Sequence, residues 1–234
     1  EVGPVQVEDH RAQGRWRGLA RAAAPFGAMA TLGPVVFYLH WPYLWHAPVE
    51  RFLWYASFHT KHINYPWEFF GTLLVEPPYP LGYAFALTAV TVPITLVVLM
   101  ATGALREMVR FLGTYLWKPA RRLAGEMDSD SLLLLGNAFA SITVLSLPSV
   151  PIFGGVKHWL PSMPFLLIFA ARALERIAET SGELFPPLRR ATFALGATLA
   201  LVPALVGTVK NHPYGTSFYN EVAGGYPGAA TLGM

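Results

Sequence analysis

The chain has 234 residues, with 17 Lys and Arg against 14 Asp and Glu and a formal net charge of +3. Charged residues make up 13%, about half the ~25% of soluble domains, and 53% of the chain is hydrophobic. So few charges cannot cover a water-facing surface, which excludes a free-standing soluble enzyme. The absence of cysteine excludes disulfides, thiolate metal sites and Cys nucleophiles.

The apolar residues come in blocks. Runs without Asp, Glu, Lys or Arg cover 22–49, 77–105, 131–156, 158–171 and 191–209. A bilayer-spanning helix needs roughly 20 apolar residues. The fourth run reaches that length if Arg172 and Arg176 snorkel to the head groups. The expected fold is all-α: a polytopic transmembrane bundle with spans over 22–40, 81–102, 131–150, 158–178 and 191–209.

Charge orients these elements. With the segment 1–21 cytoplasmic, inner segments hold thirteen basic residues and outer ones only Arg51, Lys61, Lys157 and Lys210. The outer loop 41–80 is crowded with Trp, Tyr and Phe, as in an interfacial belt. It is too long for a bare connector. Short surface helices are expected over 49–61 and 67–75, with Pro66 and Pro77, Pro78 and Pro80 delimiting the second.

Within that loop His59 and His62 stand one helical turn apart, flanking Lys61. Such a pair suits a metal or interfacial hydrogen bonding. No further ligand is evident, so no metal is assigned.

The inner loop 103–130 carries Leu105, Met108, Val109, Leu112, Leu116 and Trp117 at helical spacing with arginines between. This suits a basic interfacial helix or a solvated connector. From Pro148 to Pro164, prolines and the pair Gly154–Gly155 break the chain, and Lys157 and His158 open the next helix. Helix-start N–H groups beside a Lys favour an anion such as a phosphate at head-group level. A plain hairpin with a snorkelling Lys accounts for the same residues. The extracytoplasmic tail 210–234 brings His212, Tyr214, Tyr219 and Asn220, suited to sugar or head-group contact. No GxxxxGK[ST] or strand-led GxGxxG is present, and no nucleic-acid partner is expected.

Four blocks resemble polytopic lipid-linked glycosyltransferases of the GT-C type. The family is glycosyltransferase family 39, relatives of protein O-mannosyltransferases and of the lipid A aminoarabinose transferase. They are His40-Trp41-Pro42 with His46-Ala47-Pro48; His62-Ile63-Asn64-Tyr65 through Phe70-Gly71 to Pro77-Pro78; Gly154-Gly155-Val156-Lys157-His158-Trp159-Leu160-Pro161 with Pro164; and His212-Pro213-Tyr214 with Tyr219-Asn220-Glu221 and Gly224-Gly225. The resemblance implies a multi-pass protein of a bacterial inner membrane that moves a sugar from a polyprenyl phosphate carrier to an extracytoplasmic acceptor. It implies carrier or substrate contact at Lys157, His158, Lys61, His62, His212, Tyr219 and Asn220.

In such enzymes an acidic residue of the first extracytoplasmic loop acts on the acceptor, and no matching Asp is found here. With Glu1 opening the chain, this leads to the expectation of a fragment, inactive alone, whose catalytic base lies elsewhere. No cofactor is assigned. The alternatives are a transporter or flippase subunit, or a non-catalytic membrane protein. Charge-free run centres and polar chemistry gathered outside favour an interfacial reaction. Loop 41–80 and tail 210–234 are expected to roof the site over Lys157.

Overall fold

A computed structural model describes residues 23–61 and 63–234, mostly helical. The expected segment 1–21 and His62 lie outside the described residues. The chain divides into two compact units, the second being Ile63–Met234.

In the first unit, helix α1 (residues 23–40) leads through the 3-10 turn Pro42–Trp45 into α2 (Pro48–Thr60). A helix is therefore present where one was expected over 49–61. Aromatic rings join these pieces: Trp41 meets Phe37 at 5.0 Å and Tyr55 at 4.8 Å, and Trp45 Nε1 donates to the Tyr38 carbonyl at 2.8 Å.

In the second unit the helix expected over 67–75 is replaced by a β-hairpin. Strand β1 (Trp67–Phe69) pairs antiparallel with β2 (Thr72–Leu74). The cause is the two-residue turn, where Phe70 and Gly71 both take positive φ, 49° and 72°. That geometry matches the right-handed twist of a hairpin and cannot continue a helix.

Helices α3 (Tyr83–Thr91) and α4 (Ile94–Phe111) divide the expected span 81–102. Val92 is extended, as a residue before proline tends to be, and Pro93 is the N-cap residue of α4. A π turn (Leu112–Leu116) leads to α5 (Lys118–Ala124), then α6 (Ser129–Leu145). The span expected to reach 150 thus stops at 145, ahead of Pro148. The 3-10 segment Gly155–Ser162 precedes α7 (Met163–Leu184) and α8 (Pro186–Asn211). Short turns lead to α9 (Gly225–Thr231).

Helix α7 packs on both α4 and α8. The closest approach is set by Gly103, where an added Cβ would run into the Phe169 backbone. Buried Met100, Gly103, Ala104 and Glu107 form one stripe of α4, at the i, i+3, i+4, i+7 spacing of a helix face.

Among the described residues one helix, α8, is long and apolar enough by itself to cross a membrane, with 26 residues and an 18-residue stretch of mean hydropathy 1.8. Ala200 is its buried residue, while Leu195, Leu201, Leu205 and Val209 are each more than 60% exposed.

Asp128 caps α6. Its carboxylate accepts from Ser131 N at 2.7 Å and from Arg110 Nη2 at 3.0 Å, which holds its pKa well below the usual carboxylate range. A depressed pKa in the folded state stabilises the fold above the unfolded-state value of about 4, and that gain is lost as pH falls through the folded value. Asp128→Ala is expected to cost about 1 kcal/mol at pH 7. The gap from wild type, read as unfolding midpoints, should narrow steadily below about pH 4. A gap that stays constant to pH 2 would contradict the assignment.

Candidate functional site

The candidate site stands on the loop between α6 and α7. Two buried anchors fix that loop, Ile152 and Trp159, 1% and 0% exposed. Trp159 Nε1 donates to Thr88 Oγ1 at 2.8 Å, and its ring meets Tyr83 edge-on at 5.9 Å. Tyr83 in turn carries the hairpin, touching Phe69 at 5.3 Å and Trp67 at 6.5 Å. The hairpin, α3 and the α6–α7 loop therefore share one aromatic junction.

Between the anchors the chain turns through Gly154 and Gly155, with φ of 65° and 67°. Glycine adopts this left-handed conformation without steric cost. The end of the Lys157 side chain, Cε and Nζ, occupies the space where a Cβ of Gly154 would stand. That Cβ would also lie 3.3 Å from His158 Nε2.

The Lys157 side chain thus folds back across the glycine. Its Nζ lies 5.6 Å from the Phe153 ring centre, within cation–π range. The Phe153 ring meets His158 edge-on at 4.5 Å and Tyr65 at 5.2 Å. Lys157 is exposed and His158 half-buried. The result is an exposed primary ammonium on an aromatic floor, able to donate to an oxyanion from the solvent side, with the His158 imidazole packed beside it and its Nε2 buried.

Helix α7 does not begin at Lys157 and His158 as the sequence suggests. They lie in the 3-10 segment, and α7 starts at Met163, because Pro161 and Pro164 place the first α-helical turn later. The positive end of the α7 dipole therefore falls six residues beyond Lys157.

The tail joins this junction through Asn220, which is 1% exposed. Its Nδ2 donates to the carbonyls of Ala89 and Val92, both at 2.7 Å, and its backbone N–H donates to Val90 at 2.8 Å. Its Oδ1 accepts from the Val222 and Ala223 N–H groups. A helix end leaves carbonyls unsatisfied, and Asn220 satisfies those at the α3–α4 break from 128 residues or more away in sequence. Both its donors are used within the fold, so Asn220 clamps the tail and is unavailable to a ligand.

The other expected residues divide. Tyr219 is half-buried against the same core, where burial and then Tyr226 push its phenol pKa up. His212 caps α8 at its C-terminus and is exposed. Lys61 caps α2 in the first unit and donates its backbone N–H to Ser57 at 2.9 Å. His62 is outside the described residues. The stretch 63–80 meets the tail, since the Gly71 N–H donates to the Gly233 carbonyl at 3.2 Å.

Sequence reasoning missed a second polar centre at the opposite end of α4. Glu107 is 2% exposed, with Arg110 Nη1 at 2.8 Å, Arg172 at 3.6 Å and Arg106 at 3.9 Å. Ser131 Oγ accepts from Arg110 and Arg172 and donates to Asp128 at 3.1 Å. Helices α4, α6 and α7 are tied together there. The signal was present, because Glu107 extends the small-residue stripe through Gly103 and Ala104.

Comparison with protein-family models, curated proteins and solved structures gives no match. The resemblance to glycosyltransferase family 39 rests on the four sequence blocks.

Proposed function

We propose that the chain is the membrane-embedded part of a glycosyltransferase, moving a sugar from a polyprenyl phosphate carrier to an acceptor on the extracytoplasmic face. The observation that carries this reading is the Lys157–His158 platform over Phe153. As the acceptor oxygen bonds to the anomeric carbon, the bond from that carbon to the phosphate oxygen breaks and charge grows on the leaving phosphate. A preorganised cationic donor at that oxygen, the Lys157 ammonium, lowers the barrier. The acceptor proton passes to a base that no residue here is assigned to be.

The same reading takes the chain as multi-pass, with five spans. Exposed apolar side chains along α1 and α8 support it, since such surfaces suit lipid better than water. The break at Pro93 explains why the second span is not one long apolar helix. The placement predicts that cysteines at Ser57 and Ser217 react with an impermeant reagent from outside and that one at Ser129 does not. Labelling at Ser129 alone would overturn it.

The carrier assignment predicts that Lys157→Ala lowers turnover of polyprenyl-linked sugar by about 10–100-fold, the loss of one charge-assisted contact. The exposed side chain leaves folding intact. Unchanged turnover would sink the assignment.

Buried Glu107 favours a second reading, a transporter or flippase subunit, because ionisable residues within bundles mark ion pathways. Its three arginine neighbours neutralise it near the end of α4, so the transferase reading is preferred.

A further inference from the structure

Beside the Glu107 layer lies a cavity of about 240 Å³ between α4, α6 and α7. Its wall carries four arginines and four carboxylates, for a formal charge of zero. These groups are not evenly engaged. Arg110 takes up Glu107 at 2.8 Å and Asp128 at 3.0 Å. Arg106 and Arg172 approach Glu107 only at 3.9 and 3.6 Å, beyond hydrogen-bond length.

Each guanidinium has five N–H donors, and Arg172 uses one on Ser131 at 2.8 Å. Both side chains are partly exposed, 42% and 36%, so their remaining donors can reach a ligand. Arg176 is paired with Glu179 at 3.2 Å. Glu175 lines the same cavity, is exposed, and forms no ion pair among the described residues.

We propose that this cavity binds a zwitterionic phosphoethanolamine group, with the phosphate on Arg106 and Arg172 and the ammonium on Glu175. A bare anion would gain donors but no net attraction from a neutral wall. A group carrying both signs uses the arginine forks and the unpaired carboxylate together. The volume holds roughly eight water-sized groups, the size of phosphoethanolamine itself. The group can come from a phospholipid or from a free phosphoethanolamine ester. The lipid source rests on the membrane placement proposed above; the binding chemistry does not, nor does it depend on the transferase reaction.

The test uses the full chain and its thermal unfolding midpoint. In detergent it is titrated with O-phosphoethanolamine or inorganic phosphate. In phosphatidylcholine nanodiscs it is compared with and without added phosphatidylethanolamine or phosphatidylglycerol. At about ten times its dissociation constant the zwitterion should raise the midpoint by about 3–5 °C. Phosphate and phosphatidylglycerol should give less than half of that.

Arg106→Gln should abolish the shift, and Glu175→Gln should abolish the preference for the zwitterion. Glu175 is exposed and, among the described residues, unpaired, so the unliganded midpoint of Glu175→Gln should match wild type. The shift in Arg106→Gln is read against that variant's own unliganded midpoint, because Arg106 also neighbours Glu107. A shift with the free compound as well as the lipid marks a water-accessible pocket, and a shift with the lipid alone marks entry from the bilayer; either supports the site. No shift in any arm, an equal shift with phosphate, or a shift that survives in Arg106→Gln would overturn it.

Discussion

Glu107→Gln is expected to destabilise the protein by about 3–5 kcal/mol, because removing one partner of a buried ion cluster leaves uncompensated charge. Glu107 is 2% exposed and has three guanidiniums within 4 Å, and its oxygens are the acidic centre through which α4 and α7 meet. The amide keeps the shape and loses the charge, so the loss is electrostatic and not a cavity effect. The measurement is a denaturant or thermal midpoint for the chain in detergent. Glu126→Gln is the matched control, since the Arg121–Glu126 pair is more than half exposed on both sides and should change stability by less than about 1 kcal/mol. Equal effects from the two substitutions would contradict the structural role given to Glu107.

Trp159→Ala is expected to cost a similar amount, about 3–5 kcal/mol, by emptying a fully buried aromatic site. The indole holds three things at once: the α6–α7 loop, Thr88 on α3, and Tyr83, on which the hairpin rests. Loss of the ring should therefore loosen the Lys157–His158 platform as well as the core. Trp159→Phe separates the two contributions. It keeps most of the packing and loses the 2.8 Å hydrogen bond to Thr88, so a smaller cost of about 1–3 kcal/mol is expected. Unfolding midpoints of both variants check this. A phenylalanine variant as unstable as the alanine one would show that the hydrogen bond, not the burial, holds the loop.

The helices were legible because long apolar runs have few other ways to satisfy their backbone. Their ends were less so, for a local reason in each case. Pro93 cut one expected span in two, and Pro161 with Pro164 delayed α7 past Lys157. The hairpin over 67–74 escaped notice because the apolar residues between Trp67 and Val75 fit a helix or a strand. What decides it is the positive φ at Phe70 and Gly71, which composition does not announce. Glu107 was hidden by its neighbours, since Arg106 and Arg110 read as ordinary charges of a basic connector. Only the spacing from Met100 through Gly103 and Ala104 places it on the buried face.

The candidate site shows the same division. Lys157 and His158 stood out beside a glycine pair, and in the structure both side chains lie against the Phe153 ring. Asn220 stood out for the wrong chemistry. An Asn before Glu221 and Val222 is also an N-cap signal, and that is how its oxygen is used. The hydrogen bonds of its amide nitrogen to Ala89 and Val92 join residues too distant in sequence for any spacing rule to connect.

Equilibrium binding of a polyprenyl monophosphate to the purified chain, wild type against Lys157→Ala, tests the proposed carrier site most directly and does not require catalysis. The account predicts saturable binding by wild type that is weakened about 10–100-fold by Lys157→Ala, with the unfolding midpoint unchanged. Equal affinity for the two proteins, or no saturable binding by wild type, would contradict it.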